Sequence, residues 1–400
     1  MSHLIIGNGV AGTTAALTIR KFDRESEITI ISEEAYPFYS RIRLIDYLAD
    51  EVSEHDLIIF KDQWYKRNRI RLVLNTRVTS LAPGAKEVAL SGGQKMTYDK
   101  LLIATGGTSF TPPIKGADKS GVFTLRTLDD AQRIRTAART ASHIIVLGGG
   151  LLGIEAGNAL RKSGKNVTIV EFAPRLLPRQ LDDDGADILK GMLEKRGIRF
   201  VLNARAKEVI GDTSVAGMLL EDGRQIDGAM VLISAGIRCN TSLLEGIGCK
   251  LGRGVIVDDR METGIPDVYA AGDLIEHRGI VYGIWPAAEQ QGKVAGINMA
   301  GGTALYEGTI PSNILKVAGI DLLSAGEIDA GGTLMSFTIK DGTKGIYKKL
   351  VFRNGIFTGC ILCGDTEGRK EIVTALRERK TLAAMKDILE RSRFKDMQTR

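Results

Sequence analysis

Gly7-Asn8-Gly9-Val10-Ala11-Gly12 follows the apolar run His3–Ile6, and glycines at this spacing can seat a pyrophosphate. Gly7 permits a tight turn, Gly9 lets the backbone approach the phosphates, and Gly12 lets a helix lie close on a strand. A helix opening here offers unpaired N–H groups and a partial positive charge to an anion, so Val10 and Ala11 belong to the phosphate-facing set. The helix is expected over Thr13–Lys21, and a second strand, Glu27–Ile31, ends in Ser32-Glu33-Glu34. Glu33 stands 21 residues beyond Gly12, where a carboxylate can accept from ribose hydroxyls.

The pattern recurs. His143–Leu147 runs into Gly148-Gly149-Gly150-Leu151-Leu152-Gly153, followed by an expected helix over Ile154–Ser163 and a strand over Asn166–Val170. Glu171 follows 18 residues after Gly153. One such motif is a weak signal, because any glycine-rich turn can imitate it. Two copies, each with strand, helix and acid in order, mean that two dinucleotides bind or that one of two such sites has decayed. The Glu171 carboxylate suits an adenosine ribose 2′-OH and repels a 2′-phosphate, which favours NADH over NADPH. Arg175, four residues on, could partly offset that repulsion.

The elements around these motifs suggest their placement. Tyr98–Ile103 reads as a strand meeting the turn Ala104-Thr105-Gly106, and Ala229–Ala235 repeats the idea before Gly236. The second motif lies between them, so one α/β domain is inserted in another. The expected layout is a discontinuous domain of residues 1–109 and 238–304, an inserted domain of 110–237, and a smaller α+β domain of 305–400 ending in an amphipathic helical tail. The fold class is α/β, with two three-layer Rossmann-type domains and that C-terminal addition.

This ordered set resembles the FAD-dependent pyridine nucleotide–disulfide oxidoreductase superfamily over essentially the whole chain, including Thr263-x5-Tyr269-Ala-x-Gly272-Asp273. The resemblance implies FAD at the first motif, NAD(P)H at the second, and Gly272 and Asp273 at the ribityl and pyrophosphate region of the flavin. Tyr36–Leu44, Glu171–Asp182 and Ile310–Gly319 are similar to segments of NADH:rubredoxin reductases and the N-terminal part of NADH-dependent nitrite reductases. By that likeness Arg41 and Arg126 contact FAD phosphates or the flavin's surroundings, and Val78 holds the adenine through its backbone; Glu34, beside Glu33, is a further cofactor-binding candidate. Glu155 lies near flavin and nicotinamide, and Trp285-Pro286 opens a helix aimed at the flavin. Proline is tolerated there because its missing N–H has no partner in a first turn.

Departures from the family matter equally. Residues 33–60 contain no cysteine, where the disulfide- and peroxide-reducing branches carry a redox thiol. Cys360-Ile-Leu-Cys363 spells C-x-x-C but sits in an apolar strand pattern, so a buried structural role is expected. Position 46 is Asp, where ferredoxin-reductase relatives often have Lys. The four histidines have no ligand spacing, and no metal site is expected.

Composition narrows the class. The chain is 44% hydrophobic and 26% charged, ordinary for a globular protein, and four cysteines in 400 residues make no disulfide framework. The first strand begins by His3, which leaves no room for a signal peptide and suggests a cytoplasmic location. Residues 367–400 mix ten Lys/Arg with six Asp/Glu, a solvated face rather than a nucleic-acid patch. The expected function is NADH oxidation through FAD, with electrons passed to a small acidic carrier such as rubredoxin, steered by a basic surface of Lys344, Lys348, Lys349, Arg369 and Lys370. The alternatives are an NADH oxidase that uses oxygen directly and a non-catalytic NADH-sensing flavoprotein.

Overall fold

The computed structural model describes residues 1–309, 312–386, 388 and 398–399. The chain forms two compact units, one of residues 1–43, 52–109 and 236–309, the other of 44–51, 110–235 and 310–400.

The first unit is built on a parallel five-stranded sheet in the order Val268–Ala270, Lys100–Ile103, Ser2–Ile6, Glu27–Ile31, Ile70–Val73. Leu4, Ile5, Ile30, Leu101 and Leu102 are buried, as a sheet covered on both faces requires. The first helix spans Val10–Phe22, starting three residues before the expected Thr13. Gly9 takes the extended cap conformation itself, so helical geometry begins directly after it. This helix packs against the helix Trp285–Met299. A Cβ at Gly292 would lie 2.4 Å from the Ala11 carbonyl oxygen, and one at Gly296 2.8 Å from that of Ala15. The small residues of the later helix therefore set how closely the two helices approach.

His3 lies inside this sheet, 1% exposed, and among the described residues neither ring nitrogen has a hydrogen-bond partner. Burial pushes its pKa down to about 4. Between about pH 6.5 and pH 4 the unfolded chain binds a proton that the folded chain refuses, so stability falls as acid is added across this window. The loss should approach ~3 kcal/mol. His3→Phe is expected to shrink the fall in urea midpoint between pH 7 and pH 4.5, and an unchanged fall would show that other groups cause it.

The second unit repeats this plan. Its parallel sheet runs Ile198–Val201, Asn166–Val170, His143–Leu147, Met230–Ile233, Val122–Thr124. In both units the glycine-motif strand is central, and a three-stranded antiparallel sheet precedes the strand paired on its other side: Val78–Ala82, Glu87–Leu90 and Lys95–Thr97 in the first, Ala206–Ile210, Gly217–Leu220 and Gln225–Asp227 in the second. The helix after the second motif spans Leu151–Lys162, again earlier than expected, with Gly150 as its cap.

A six-stranded antiparallel sheet completes this unit, in the order Ser312–Val317, Ile320–Gly326, Ile356–Cys363, Ile346–Arg353, Met335–Asp341, Gln398–Thr399. The helix Arg369–Arg377 packs on the strands Ile320–Gly326 and Ile356–Cys363, and the helix Asp183–Glu194 packs on Ile346–Arg353 and Ile356–Cys363. This overturns the expected basic surface at two positions. Lys348 and Lys349 are 1% and 5% exposed, because their strand is interior to the sheet and covered on both faces. Lys348 pairs with Asp365 at 3.1 Å, and Lys349 with Asp182 at 3.0 Å. Lys344, Arg369 and Lys370 are exposed. Of the expected amphipathic tail, the helix Arg369–Arg377 is present; positions 387, 389–397 and 400 lie outside the described residues, as do Ile310 and Pro311.

Candidate dinucleotide sites

At the first motif, Gly7 has φ +114°, and a Cβ there would lie 2.2 Å from the Ala104 carbonyl oxygen. A Cβ at Gly12 would lie 2.0 Å from the oxygen of Gly7, whereas one at Gly9 would meet nothing within 4 Å. Gly7 and Gly12 thus close the backbone on itself, and Gly9 leaves an open lip. No side chain caps the helix start, and its first turn holds no acid, so the amides at Val10, Ala11 and Gly12 are available to an anion. Within the same loop Asn8 accepts from the Tyr65 hydroxyl at 2.9 Å, while its buried Nδ2 has no partner among the described residues. An open rim, uncapped amides and an orphaned donor fit the pyrophosphate of FAD.

Other predicted residues gather around this loop in the first unit. Thr105 donates to the Asn240 carbonyl, and Asn240 Nδ2 donates to the Thr105 carbonyl at 2.9 Å, which ties down the Ala104-Thr105-Gly106 turn. Gly272, at φ +88°, donates its N–H to Gln291 Oε1 at 2.9 Å, and a Cβ on it would sit 3.1 Å from that of Ala11. The Asp273 carbonyl accepts from the Cys239 thiol at 3.1 Å. Trp285 and Pro286 open their helix with neither an acidic first turn nor a side-chain cap, and Phe38 stands 5.8 Å from Trp285 by ring centroids.

The two acids after the second strand differ. Glu34 accepts from the Tyr39 hydroxyl and pairs with Arg41, which also donates to the Tyr39 oxygen at 2.9 Å. Glu33 is exposed, 3.6 Å from Arg77. Val78 is buried opposite Leu90 in its antiparallel pair, and Gly236 takes φ +97° with open space where a Cβ would stand.

The second motif has the same geometry in the second unit. Gly148 has φ +121°, and a Cβ on it would lie 2.3 Å from the Ser234 oxygen. A Cβ at Gly153 would lie 2.0 Å from the Gly148 oxygen, and one at Gly150 would meet nothing within 4 Å. The helix start, with Leu151 and the exposed Leu152, is uncapped by any side chain and free of acids in its first turn. Glu171 accepts from the N–H of Gly149 and, at 2.7 Å, from that of Ala173. Glu155 accepts from the Ala318 N–H at 3.0 Å, and burial raises its pKa. The Arg126 N–H donates to Asp130 at 3.0 Å, just before a helix capped by Thr127. Arg175 is not poised over Glu171 for a phosphate: it donates to the Leu181 carbonyl at 3.1 Å and pairs with Asp183 at 2.9 Å.

Asn8, Tyr65, Gln291 and Asn240 were not legible as site residues. Their partners are far away in sequence, and no local pattern marks them. Cys360 and Cys363 are free and buried, with their thiols pushed up to about 12 by burial. Three positions apart on one strand, they point to opposite faces, which is not the arrangement of a dithiol. Among the described residues no group of three or more His, Cys, Asp or Glu could hold a metal ion, and no helix is long and apolar enough to cross a membrane.

Comparison with known proteins decides the family. Residues 1–292 match the pyridine nucleotide-disulphide oxidoreductase family. The chain belongs to it. Residues 311–380 match the rubredoxin NAD+ reductase C-terminal domain. The chain is similar to the NADH-rubredoxin oxidoreductase of Clostridium acetobutylicum, 36% identical over 327 residues that cover 82% of each protein. It is 37% identical over 370 residues to a nitrite reductase [NAD(P)H] of Bacillus subtilis, covering 92% of this chain but only 46% of that relative, so it spans about half that relative's length. A solved NAD-dependent persulfide reductase from A. fulgidus superposes with a TM-score of 0.89 at 28% identity, covering 97% of this chain and 79% of the other. The family and its NADH-dependent members bind FAD and NADH, and the two cradles fit these groups.

Proposed function

We propose that this chain oxidises NADH through FAD and delivers the electrons to a small redox protein, with rubredoxin the first to test. The observation that carries the reading is the pair of uncapped helix openings, each with one open glycine and a carboxylate at the end of the following strand. In this reading residues 1–109 and 238–304 are the flavin domain, 110–237 the nicotinamide domain, and 305–400 the interface domain.

When bound, FAD supplies acceptance of a hydride and release of electrons. Gly7, Gly9, Val10, Ala11 and Gly12 would hold its pyrophosphate, and Glu33 the ribose. Glu34 and Tyr39 hold Arg41, which would contact the flavin nucleotide, with Val78, Ala104, Thr105, Gly106, Gly272 and Asp273 completing the site. The Trp285 helix presents its positive end, which stabilises negative charge on a reduced flavin. Gly148, Gly150, Leu151, Leu152 and Gly153 would seat the NADH pyrophosphate, Glu171 its ribose, and Glu155 would position the nicotinamide. No cysteine lies in residues 33–60, which favours an external acceptor over a protein thiol. The C-terminal match to a rubredoxin reductase domain and the exposed Lys344, Arg369 and Lys370 favour a small acidic one.

Anaerobic stopped-flow spectroscopy tests this. NADH should bleach the protein-bound flavin faster than NADPH does, and rubredoxin should restore its colour far faster than air. Reoxidation by air at the faster rate would instead make the protein an oxidase. A reduced state that outlasts every carrier would make it a sensor, and no bleaching at all would end the proposal.

A further inference from the structure

We infer that Arg205, stacked on Phe172, is the residue that sets how far the second dinucleotide site accepts a 2′-phosphate. This rests on the nucleotide site proposed above. Phe172 directly follows Glu171 and is 56% exposed, and the Arg205 guanidinium lies 4.3 Å from its ring centroid. The main chain fixes this neighbourhood. The Glu171 N–H donates to the Val201 carbonyl at 2.9 Å, the Ala204 N–H to that of Glu171 at 3.0 Å, and the Asn203 N–H to that of Ala173 at 3.0 Å. Asn203 makes the intervening turn with φ +51°. Arg205 is therefore held next to the ribose-binding acid by backbone pairing, not by a flexible loop.

Its charge is also unspent. Among the described residues Arg205 forms no ion pair, whereas Arg175, the cation that sequence spacing suggests, is taken by Asp183. Glu171 in turn shares its negative charge with the amides of Gly149 and Ala173, which softens its repulsion of a phosphate. A guanidinium resting on an aromatic face loses little freedom when it binds, and its planar fork matches a phosphate's oxygens. Arg205 thus gives the site a capacity for NADPH that Glu171 alone would deny, while NADH needs no such cation.

Isothermal titration of the purified holoprotein with NADH, NADPH and 2′,5′-ADP tests this directly, without turnover. Arg205→Ala should raise the dissociation constants of NADPH and 2′,5′-ADP by about ten-fold, Arg205→Glu by more, with NADH shifted less than about two-fold. Arg175→Ala should leave the NADPH-to-NADH ratio as in the wild type. The inference is overturned if neither Arg205 variant moves that ratio, or if both nucleotides weaken equally, which would make the residue a plain adenine support. Wild-type protein that binds NADH tightly while the ratio stays fixed would sink this inference alone. Wild-type protein that binds neither nucleotide would sink the function proposed above with it.

Discussion

Replacing Gly12 with alanine is expected to leave the purified protein colourless, with its FAD dissociation constant raised about 100-fold or more, equivalent to ~2.7 kcal/mol. The added Cβ would stand 2.0 Å from the Gly7 carbonyl oxygen, and that oxygen cannot step aside. Gly7 is itself at φ +114°, pressed against the Ala104 carbonyl. The helix must then lift from the strand, and its N–H groups leave the positions where they converge on a phosphate. Overpacking of this kind also costs about 1–3 kcal/mol of stability. Gly9→Ala separates the two effects. Its Cβ would enter open space, so the melting temperature should hold while flavin affinity drops, because the pyrophosphate would need that space. The flavin-to-protein absorbance ratio and a thermal melt read both outcomes. Gly12→Ala protein that retains a full complement of flavin would show that the first loop is not the flavin cradle.

Lys349→Met should cost about 3–5 kcal/mol, the usual penalty for stripping the partner from a buried charge. Lys349 Nζ donates to Asp182 at 3.0 Å and to the Asp329 carbonyl at 2.8 Å. Asp182 also accepts from the Tyr347 hydroxyl at 2.6 Å and, through its other oxygen, caps the helix Asp183–Glu194 at the Gly185 N–H. Without the lysine, a carboxylate that is 7% exposed loses its cation and the hydrogen bond that came with it. Asp182→Asn combined with Lys349→Met removes both charges and keeps the cap, so the double variant should be more stable than the lysine variant alone. Urea midpoints of the three proteins decide this. A single variant no less stable than the double would mean that the pair carries no net electrostatic weight.

These lysines also mark a limit of sequence reading. In the sequence, Lys348 and Lys349 read as part of a basic surface. Only the pairing of their strand between two others, and the helices laid over the sheet, put both lysines inside. Cys360 and Cys363 show the converse: the apolar strand pattern around them already indicated burial, and strand alternation turns the two thiols to opposite faces. Arg205 comes 34 residues after Glu171, a separation that no motif spans, and the Asn8–Tyr65 bond crosses 57 positions.

What the amino-acid sequence determined alone is the pair of glycine loops, their strands and helices, and the acids that follow them. Turn geometry, a helix opening and a following strand are all made within about thirty residues, so short-range sterics and hydrogen bonding suffice to write them into a local pattern. Tertiary structure decided which charges are spent and which are free: Glu34 on Arg41, Arg175 on Asp183, Lys349 on Asp182, and Arg205 on no carboxylate among the described residues. Lys349 and Asp182 come from segments remote in the chain, and even the nearer pairs depend on how the backbone between them folds, because electrostatic energy follows separation in space rather than position in sequence.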